Sequence, residues 1–358
     1  MKTTPLYKIH SKLEATFVEC LDGWTLPLHY SDPISEHLSV RSKVGITDVS
    51  YQGVLELTGE DRASFLHRLI SNDVENLSVG DGNYATLLTH RGKIIADINV
   101  YNLKDSIYVI TAPQVIDTLF TEFDKYIIAD DVELKKVTDV GIIAVAGPNA
   151  SELVENALDT DRLDSLAEYG SIRVDFNTDC VICVRSDFFG GIGFQLITSS
   201  GNLEELWTSL TSFNTEVTPF GYQTQESLRI EAGTPVYSKE LTDSVIPLEA
   251  ELDNAIDFEK GCYIGQEIVA RMKYRGHPNR LLRGIEIQSE SLIHDNAKIY
   301  DGDKEIGWVT SSTYSPLLEK HIALGYVRMA YTDPGCIVEL EVSDGHLTGT
   351  ITVLPFIC

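Results

Sequence analysis

The stretch Tyr84-Ala85-Thr86-Leu87-Leu88-Thr89-His90-Arg91-Gly92-Lys93-Ile94-Ile95-Ala96-Asp97-Ile98-Asn99-Val100-Tyr101 decides the fold class. Two runs of strand-forming residues, 84–88 and 94–101, flank a polar turn at Thr89–Lys93, and a third run, 106–112, follows another short turn. This pattern predicts an antiparallel meander. Alternation along the second run puts Ile94, Ala96, Ile98 and Val100 on one face and Ile95, Asp97, Asn99 and Tyr101 on the other. Asp97 therefore sits mid-strand, where aspartate is depleted. Either that face is solvated, or it lines a cleft in which the carboxylate stabilises positive charge on a bound amine or accepts its hydrogen bond.

Outward from the meander, a strand at 53–57 and a helix opening at Gly59-Glu60-Asp61 precede it, and an amphipathic helix at 115–127 follows. Strand-like runs recur at 141–147, 171–176, 180–185 and 193–198. Helical spacing recurs at 149–158, 202–213 and 222–232, the last stopped by Gly233. The first fifty residues read as loop-rich, with Gly23, Pro27, Pro33 and Gly45 as punctuation. This order implies an α+β fold and not a doubly wound parallel sheet. From about residue 280, six short strands with Gly, Asp or Pro turns predict a separate small β-barrel. The boundary falls near Gly276-His277-Pro278, dividing the chain into residues 1–276 and 277–358.

The chain has 358 residues, 43% hydrophobic and 23% charged, an ordinary globular composition that allows two or three domains. Its net charge of −26 disfavours nucleic acid and anionic membranes as partners, so any bound anion needs a locally positive site. The cysteines Cys20, Cys180, Cys183, Cys262, Cys336 and Cys358 are scattered, which suits reduced thiols. The N-terminal stretch has no long apolar core typical of a signal peptide, and no run approaches a membrane span, so a cytoplasmic, soluble protein is expected.

The most informative chemical segment is Lys260-Gly261-Cys262-Tyr263-Ile264-Gly265-Gln266-Glu267. A lone cysteine is commonly a buried small hydrophobe. Here Lys260 precedes the thiol by two, and the run from Tyr263 to Arg271 is helical in pattern. A thiol at a helix start beside a cation is expected to be partly thiolate, hence a nucleophile, a soft-metal ligand or a sulfur acceptor. Around it, Lys260, Arg271, Lys273, Arg275, Arg280 and Arg283 stand against a single acid, Glu267. Such an island is either a solvated rim or a site for a carboxylate- or phosphate-bearing partner. Arg229, with Glu226 and Glu231 close by, is either a structural ion pair or a ligand contact. Cys180 and Cys183 fall on opposite faces of one strand and complete no zinc site, and no metal centre is expected. Gly190-Gly191-Ile192-Gly193 precedes a strand instead of following one, so it is no dinucleotide fingerprint.

Lys260–Glu267 resembles the KGCYxGQE signature of the YgfZ-type folate-binding proteins. The wider chain resembles the superfamily of the glycine-cleavage T-protein, GcvT (aminomethyltransferase). Asp22–Pro27 is similar to its GWxxP element, Glu36–Arg41 with Gly45–Ser50 to its EHxxVR…VGxxDxS segment, and Leu228–Gly233 to its LRxEAG helix. The resemblance implies three units around a central tetrahydrofolate channel. Two of these are interleaved α+β subdomains, one centred on about 52–140, and the third is the C-terminal barrel. It further implies that Asp97 contacts the folate ring nitrogens, that Arg229 lies near the pterin, and that cations face the anionic glutamate tail. Aligned with the family's RTGYTGEDGFE, Arg185–Gln195 places Phe188 at the tyrosine, Gly191 at one acid and Gln195 at another. These departures, with the Cys262 signature, imply a folate-binding accessory protein for iron–sulfur cluster assembly or repair, serving iron–sulfur clients and affecting tRNA modification. In that reading Cys262 and Lys260 act with Asp97, and Asp97, Phe188, Gln195 and Arg229 bind the folate. The alternatives are a folate-dependent aminomethyltransferase and a folate sensor without chemistry.

Overall fold

The computed structural model describes residues 2–213, 216–289, 293–343 and 345–357, so Cys358 lies outside the described residues. The meander forms as Gly82–Leu88, Ile94–Asn102 and Ile107–Thr111, with Thr86 opposite Asp97 and Asn99 opposite Ile110. Gly53–Thr58 and Glu133–Lys136 widen it to five strands. Ala96, Ile98 and Val100 pack with Leu66, Leu119 and Phe123 from the covering helices Arg62–His67 and Ile116–Asp124. The opposite face is not solvated. Tyr101 and Ile110 pack there against Ile142, Ala144 and Val184 of a second sheet and against Phe220, just past its edge strand.

That second sheet has six strands in the order Ser171–Phe176, Asp179–Arg185, Gly193–Thr198, Gly141–Ala146, Val44–Asp48 and Val217–Pro219. Gly141–Ala146 is buried on both faces, which accounts for its unbroken apolar run. Ile143 and Val145 face Leu153 and Leu206 of the helices Ala150–Leu158 and Leu203–Phe213, while Ile142 and Ala144 face the meander. Cys183 is sealed in the first of these cores; Cys180, on the other side, takes the Arg173 Nε at 3.0 Å.

The first fifty residues are not loop-rich. They fold into the helices Tyr7–Lys12 and Pro33–Ser42, the paired strands Thr16–Cys20 and Trp24–His29, and Val44–Asp48. Their turn-type residues do element work. Pro33 occupies the first helical turn, where a missing N–H costs nothing, and the Asp32 carboxylate caps Ser35 N at 2.9 Å. Gly45 sits inside a strand because a Cβ there would stand 2.5 Å from Val40 and 2.7 Å from Phe220.

Six strands, Arg280–Ile287, Lys298–Asp301, Lys304–Ser315, Lys320–Arg328, Ile337–Val342 and Gly345–Thr352, close the C-terminal barrel around Ile285, Ile299, Val309, Leu340 and Ile351. The helix Tyr222–Glu231 joins it to the rest. Buried Glu36 accepts hydrogen bonds from Gly221 N at 3.0 Å, a backbone donor at the helix start, and from the Thr224 hydroxyl at 2.9 Å. At the far end buried Glu231 pairs with His37 Nε2 at 3.0 Å and with Arg41 Nη2 at 2.9 Å, and accepts from the Ser315 hydroxyl of the barrel. Replacing Glu231 by Ala strands the Arg41 guanidinium without its counter-charge and removes the partner of His37 Nε2. Breaking a buried pair in this way costs about 3–5 kcal/mol. Urea unfolding of Glu231→Ala should show that loss; a change below about 1 kcal/mol would show that the pin contributes little.

Candidate functional site

A cavity of about 570 Å³ opens where the meander, the six-stranded sheet, the Tyr222–Glu231 helix and the C-terminal region meet, a volume typical of small-ligand sites. The meander contributes Tyr84, Asp97, Asn99 and Ile110; the second sheet contributes Gln195, and the loop before its Gly193–Thr198 strand contributes Phe188. The helix contributes Tyr222, Gln225 and Glu226, and Leu282 and Leu354 come from the C-terminal region.

Asp97 lies on the meander wall, on the face that its alternation assigns. Tyr84 Oη donates to its Oδ2 at 3.1 Å, and its Oδ1 has no hydrogen-bond partner among the described residues. Burial pushes this carboxyl up to about 6, with the Tyr84 bond pulling the other way. Tyr84 itself stays protonated, because burial and the adjacent Asp97 hold its pKa well above the ordinary value. Its ring stacks at 9° on Tyr169, with centroids 6.5 Å apart. Thr111 Oγ1 donates to the Asp97 carbonyl at 2.8 Å and anchors the strand beneath.

Gln195, Gln52 and Gln114 also present buried Oε1 atoms without partners, and all three line the cavity. Gln225 is committed: its Nε2 donates to Thr47 Oγ1 at 2.7 Å and its Oε1 accepts from Tyr51 at 2.9 Å. Phe188 lines the wall as an aromatic face, and its carbonyl accepts from Thr234 Oγ1 at 2.9 Å. The buried open acceptors of this lining are Asp97 Oδ1 and the Oε1 atoms of Gln195, Gln52 and Gln114. Such a surface suits a ligand edge carrying several N–H donors.

Arg229 lines the cavity but turns its guanidinium into the protein, where it is 1% exposed. Nε and Nη2 form a fork on Glu226 at 2.7 Å each; Nη1 donates to Glu240 and to Thr234 O, both at 3.2 Å; Nη2 also donates to Ser311 Oγ at 2.8 Å. All five N–H donors are committed. Burial opposes ionisation of Glu226, but the Arg229 charge and hydrogen bond, helped by Lys239, outweigh it and hold that carboxyl at about 2.

The structure does not bring Cys262 and Lys260 into this cavity, whose lining contains neither. Lys260 Nζ donates to the backbone carbonyls of His67, Ile70 and Asn72. Burial lowers its pKa to about 8 despite Asp73 and Asp257. The helix expected from Tyr263 starts at Gln266, with Gly265 at its cap, so Cys262 is an exposed thiol four residues before it. Three of the six cations of the basic island are paired in space. Arg280 pairs with Glu249 at 3.2 Å, Arg283 with Glu251 at 2.7 Å, and Lys273 with Asp253. No three His, Cys, Asp or Glu side chains converge as metal ligands among the described residues.

Sequence reading missed Tyr84, Tyr169, Gln52 and Gln114. Tyr84 had a usable signal: it lies opposite Asn99 across the meander, two residues from the partner of Asp97. The glutamines had none, because they sit in turns that converge only once the chain is folded.

Asp97 implies a trade between stability and charge. The ordinary aspartate value near 4 against about 6 here means that the unfolded chain ionises first, so stability falls as pH rises from about 4 to 6 and then levels off. Asp97→Asn removes this penalty while leaving Tyr84 an acceptor. Its melting temperature should exceed that of the parent at pH 8, by a stabilisation of up to about 3 kcal/mol, and match it near pH 4. Equal melting temperatures at both pH values would refute the raised value.

Known proteins agree with this architecture. Residues 6–260 match the GCVT N-terminal domain model, and residues 280–357 match the glycine cleavage T-protein C-terminal barrel domain model. The aminomethyltransferase of Desulforamulus reducens is 31% identical, with 99% of this chain and 98% of that protein aligned. That of Halothermothrix orenii is 30% identical over the whole of both chains. The crystal structure of glycine cleavage system aminomethyltransferase T from Bartonella henselae superposes with a TM-score of 0.92 at 25% identity, covering 99% of this chain and 98% of that one. From its N-terminal sheets to its C-terminal barrel, the chain belongs to the glycine cleavage T-protein family.

Proposed function

We propose that this protein is a tetrahydrofolate-dependent aminomethyltransferase. The observation that carries the reading is Asp97: a carboxylate on the wall of a ligand-sized cavity with one buried oxygen left unpartnered. The other open acceptors, on Gln195, Gln52 and Gln114, fit the donor-rich edge of a reduced pterin. When bound, tetrahydrofolate supplies the amine that takes up the one-carbon unit. Asp97 Oδ1 accepts an N–H from it and stabilises positive charge nearby, while Tyr84 fixes the carboxylate through Oδ2. Gln195 contributes a neutral amide where an acid would add charge. Phe188 offers a ring without a hydroxyl. The walls act by positioning the reactants and excluding water.

The iron–sulfur reading rested on the Lys260–Glu267 signature. The matching relatives are named aminomethyltransferases, and the two features expected to activate Cys262 are engaged elsewhere. What still favours a separate role for this thiol is its exposure.

The test measures methylenetetrahydrofolate formed from an aminomethyl donor. Asp97→Asn should lower turnover about a hundredfold or more, in line with losing one preorganised electrostatic contact. Cys262→Ala should leave it within about twofold, and parent turnover should rise with pH through about 6 as Asp97 ionises. Unchanged turnover in Asp97→Asn, or loss of turnover in Cys262→Ala alone, would transfer the chemistry to the other site.

A further inference from the structure

Beside the main cavity lies a second, much smaller chamber of about 20 Å³. Tyr51, Gln52, Ser186, Phe188 and Gln195 line both and so stand between them. The rest of the chamber lining, Val49, Ala144, Val145, Phe189 and Phe194, is apolar. Gln195 lies directly across from Ala144 in the second sheet, so the two side chains share the face turned to the meander. Gln52 sits in the turn between Val44–Asp48 and Gly53–Thr58, and its N–H donates to the Val49 carbonyl at 3.1 Å, folding that turn back over Val49. Gln52 Oε1 and Gln195 Oε1 are both buried with no hydrogen-bond partner among the described residues, and Gln195 as a whole is only 5% exposed.

A chamber of this size admits one water molecule and nothing larger, and such a water stays only where roughly two to four polar groups hold it. Here a hydroxyl and two amide oxygens share one small lining that is otherwise aromatic or aliphatic. We propose that the chamber is a single-water site, in which the water donates one hydrogen to Gln52 Oε1 and the other to Gln195 Oε1 and accepts from the Ser186 hydroxyl. Leaving two buried acceptors bare costs more than immobilising one bridging water. An amide oxygen has two lone pairs, so each glutamine keeps one for a ligand in the main cavity. The water also fixes which end of the Gln195 amide turns to the chamber. Gln52 and Ser186 are then positioning residues for Gln195. The water site stands apart from the tetrahydrofolate reading; only its effect on ligand binding rests on that reading.

The test joins crystallography of the intact protein, at a resolution that shows internal waters, with calorimetric titration of tetrahydrofolate. The parent should show a density peak in the chamber at about 2.7–3.2 Å from both Oε1 atoms. Gln52→Leu, which keeps the bulk and removes the acceptor, should lose the peak; Gln52→Glu, which keeps an acceptor there, should retain it. Ala144 lines the chamber and not the main cavity, so Ala144→Val fills the chamber without touching the ligand. It should lose the peak and bind tetrahydrofolate about three- to tenfold more weakly, the effect of one hydrogen bond. If the valine variant does not fold, the two Gln52 variants decide the site. A parent without the peak, or a peak that survives Gln52→Leu, would overturn the proposal. So would parent-like affinity in an Ala144→Val protein that has lost the peak, since the water would then hold nothing in place. A parent that shows the peak but binds no tetrahydrofolate would leave the water site standing and sink the folate reading instead.

Discussion

Two buried charges, two residues apart on one helix, hold the molecule together. Arg229 reaches Glu226, Glu240 and barrel residue Ser311, while Glu231 reaches His37, Arg41 and barrel residue Ser315. Neither charge could be buried alone, since an unpaired ion in the interior costs several kcal/mol. Glu231 is tolerable only when the helices Pro33–Ser42 and Tyr222–Glu231 and the barrel strand Lys304–Ser315 are docked together, and Arg229 when its helix meets Glu240 and that same strand. The cavity depends on that docking, because the same helix presents Tyr222, Gln225 and Glu226 to it. The EHxxVR and LRxEAG stretches are therefore two halves of one electrostatic joint. Their charged residues build the wall, and only Arg229 among them also lines it.

Charge read along the chain misleads where acids arrive from elsewhere. The segment from Lys260 to Arg283 looks like a positive patch, but Glu249, Glu251 and Asp253 lie across from it in space. Lys260 is a further case. Its position before Cys262 suggests an electrostatic activator, yet its three donors close the carbonyls at the end of the Arg62–His67 helix and the turn beyond. An ammonium with three fixed carbonyl partners is a staple between distant segments, and its sequence neighbour gains little from it.

The meander and barrel were legible in the sequence because a strand buried on one face alternates with period two, and turn residues delimit it. Gly141–Ala146 was legible for the opposite reason, being apolar throughout. Glu133–Lys136 was not, since an edge strand of four residues, three of them charged, carries no apolar alternation. The first fifty residues misled because Pro33 and Gly45 satisfy helix-start and close-packing demands that sequence spacing cannot distinguish from a loop. Asp97 stood out because it contradicts strand propensity. Gln52 and Gln114 contradict nothing, and their meaning arises only when the turns that carry them come to the same opening.

The strongest pointer to function is a contrast inside the protein. Glu36, Asp48, Glu231 and Glu240 are all buried, and in each both carboxylate oxygens are bonded. Asp48, for example, accepts from Ser50 N at 3.0 Å and pairs with His10 at 3.0 Å. A chain that satisfies these acids so fully leaves Asp97 Oδ1 bare, with neighbouring amide oxygens equally bare around the same cavity. Leaving a buried acceptor unsatisfied costs about 1–3 kcal/mol. Fold stability alone offers no return for that cost, because a hydrophobic residue in the strand would remove it. A molecule in the cavity that brings N–H or O–H donors to these oxygens would recover that cost.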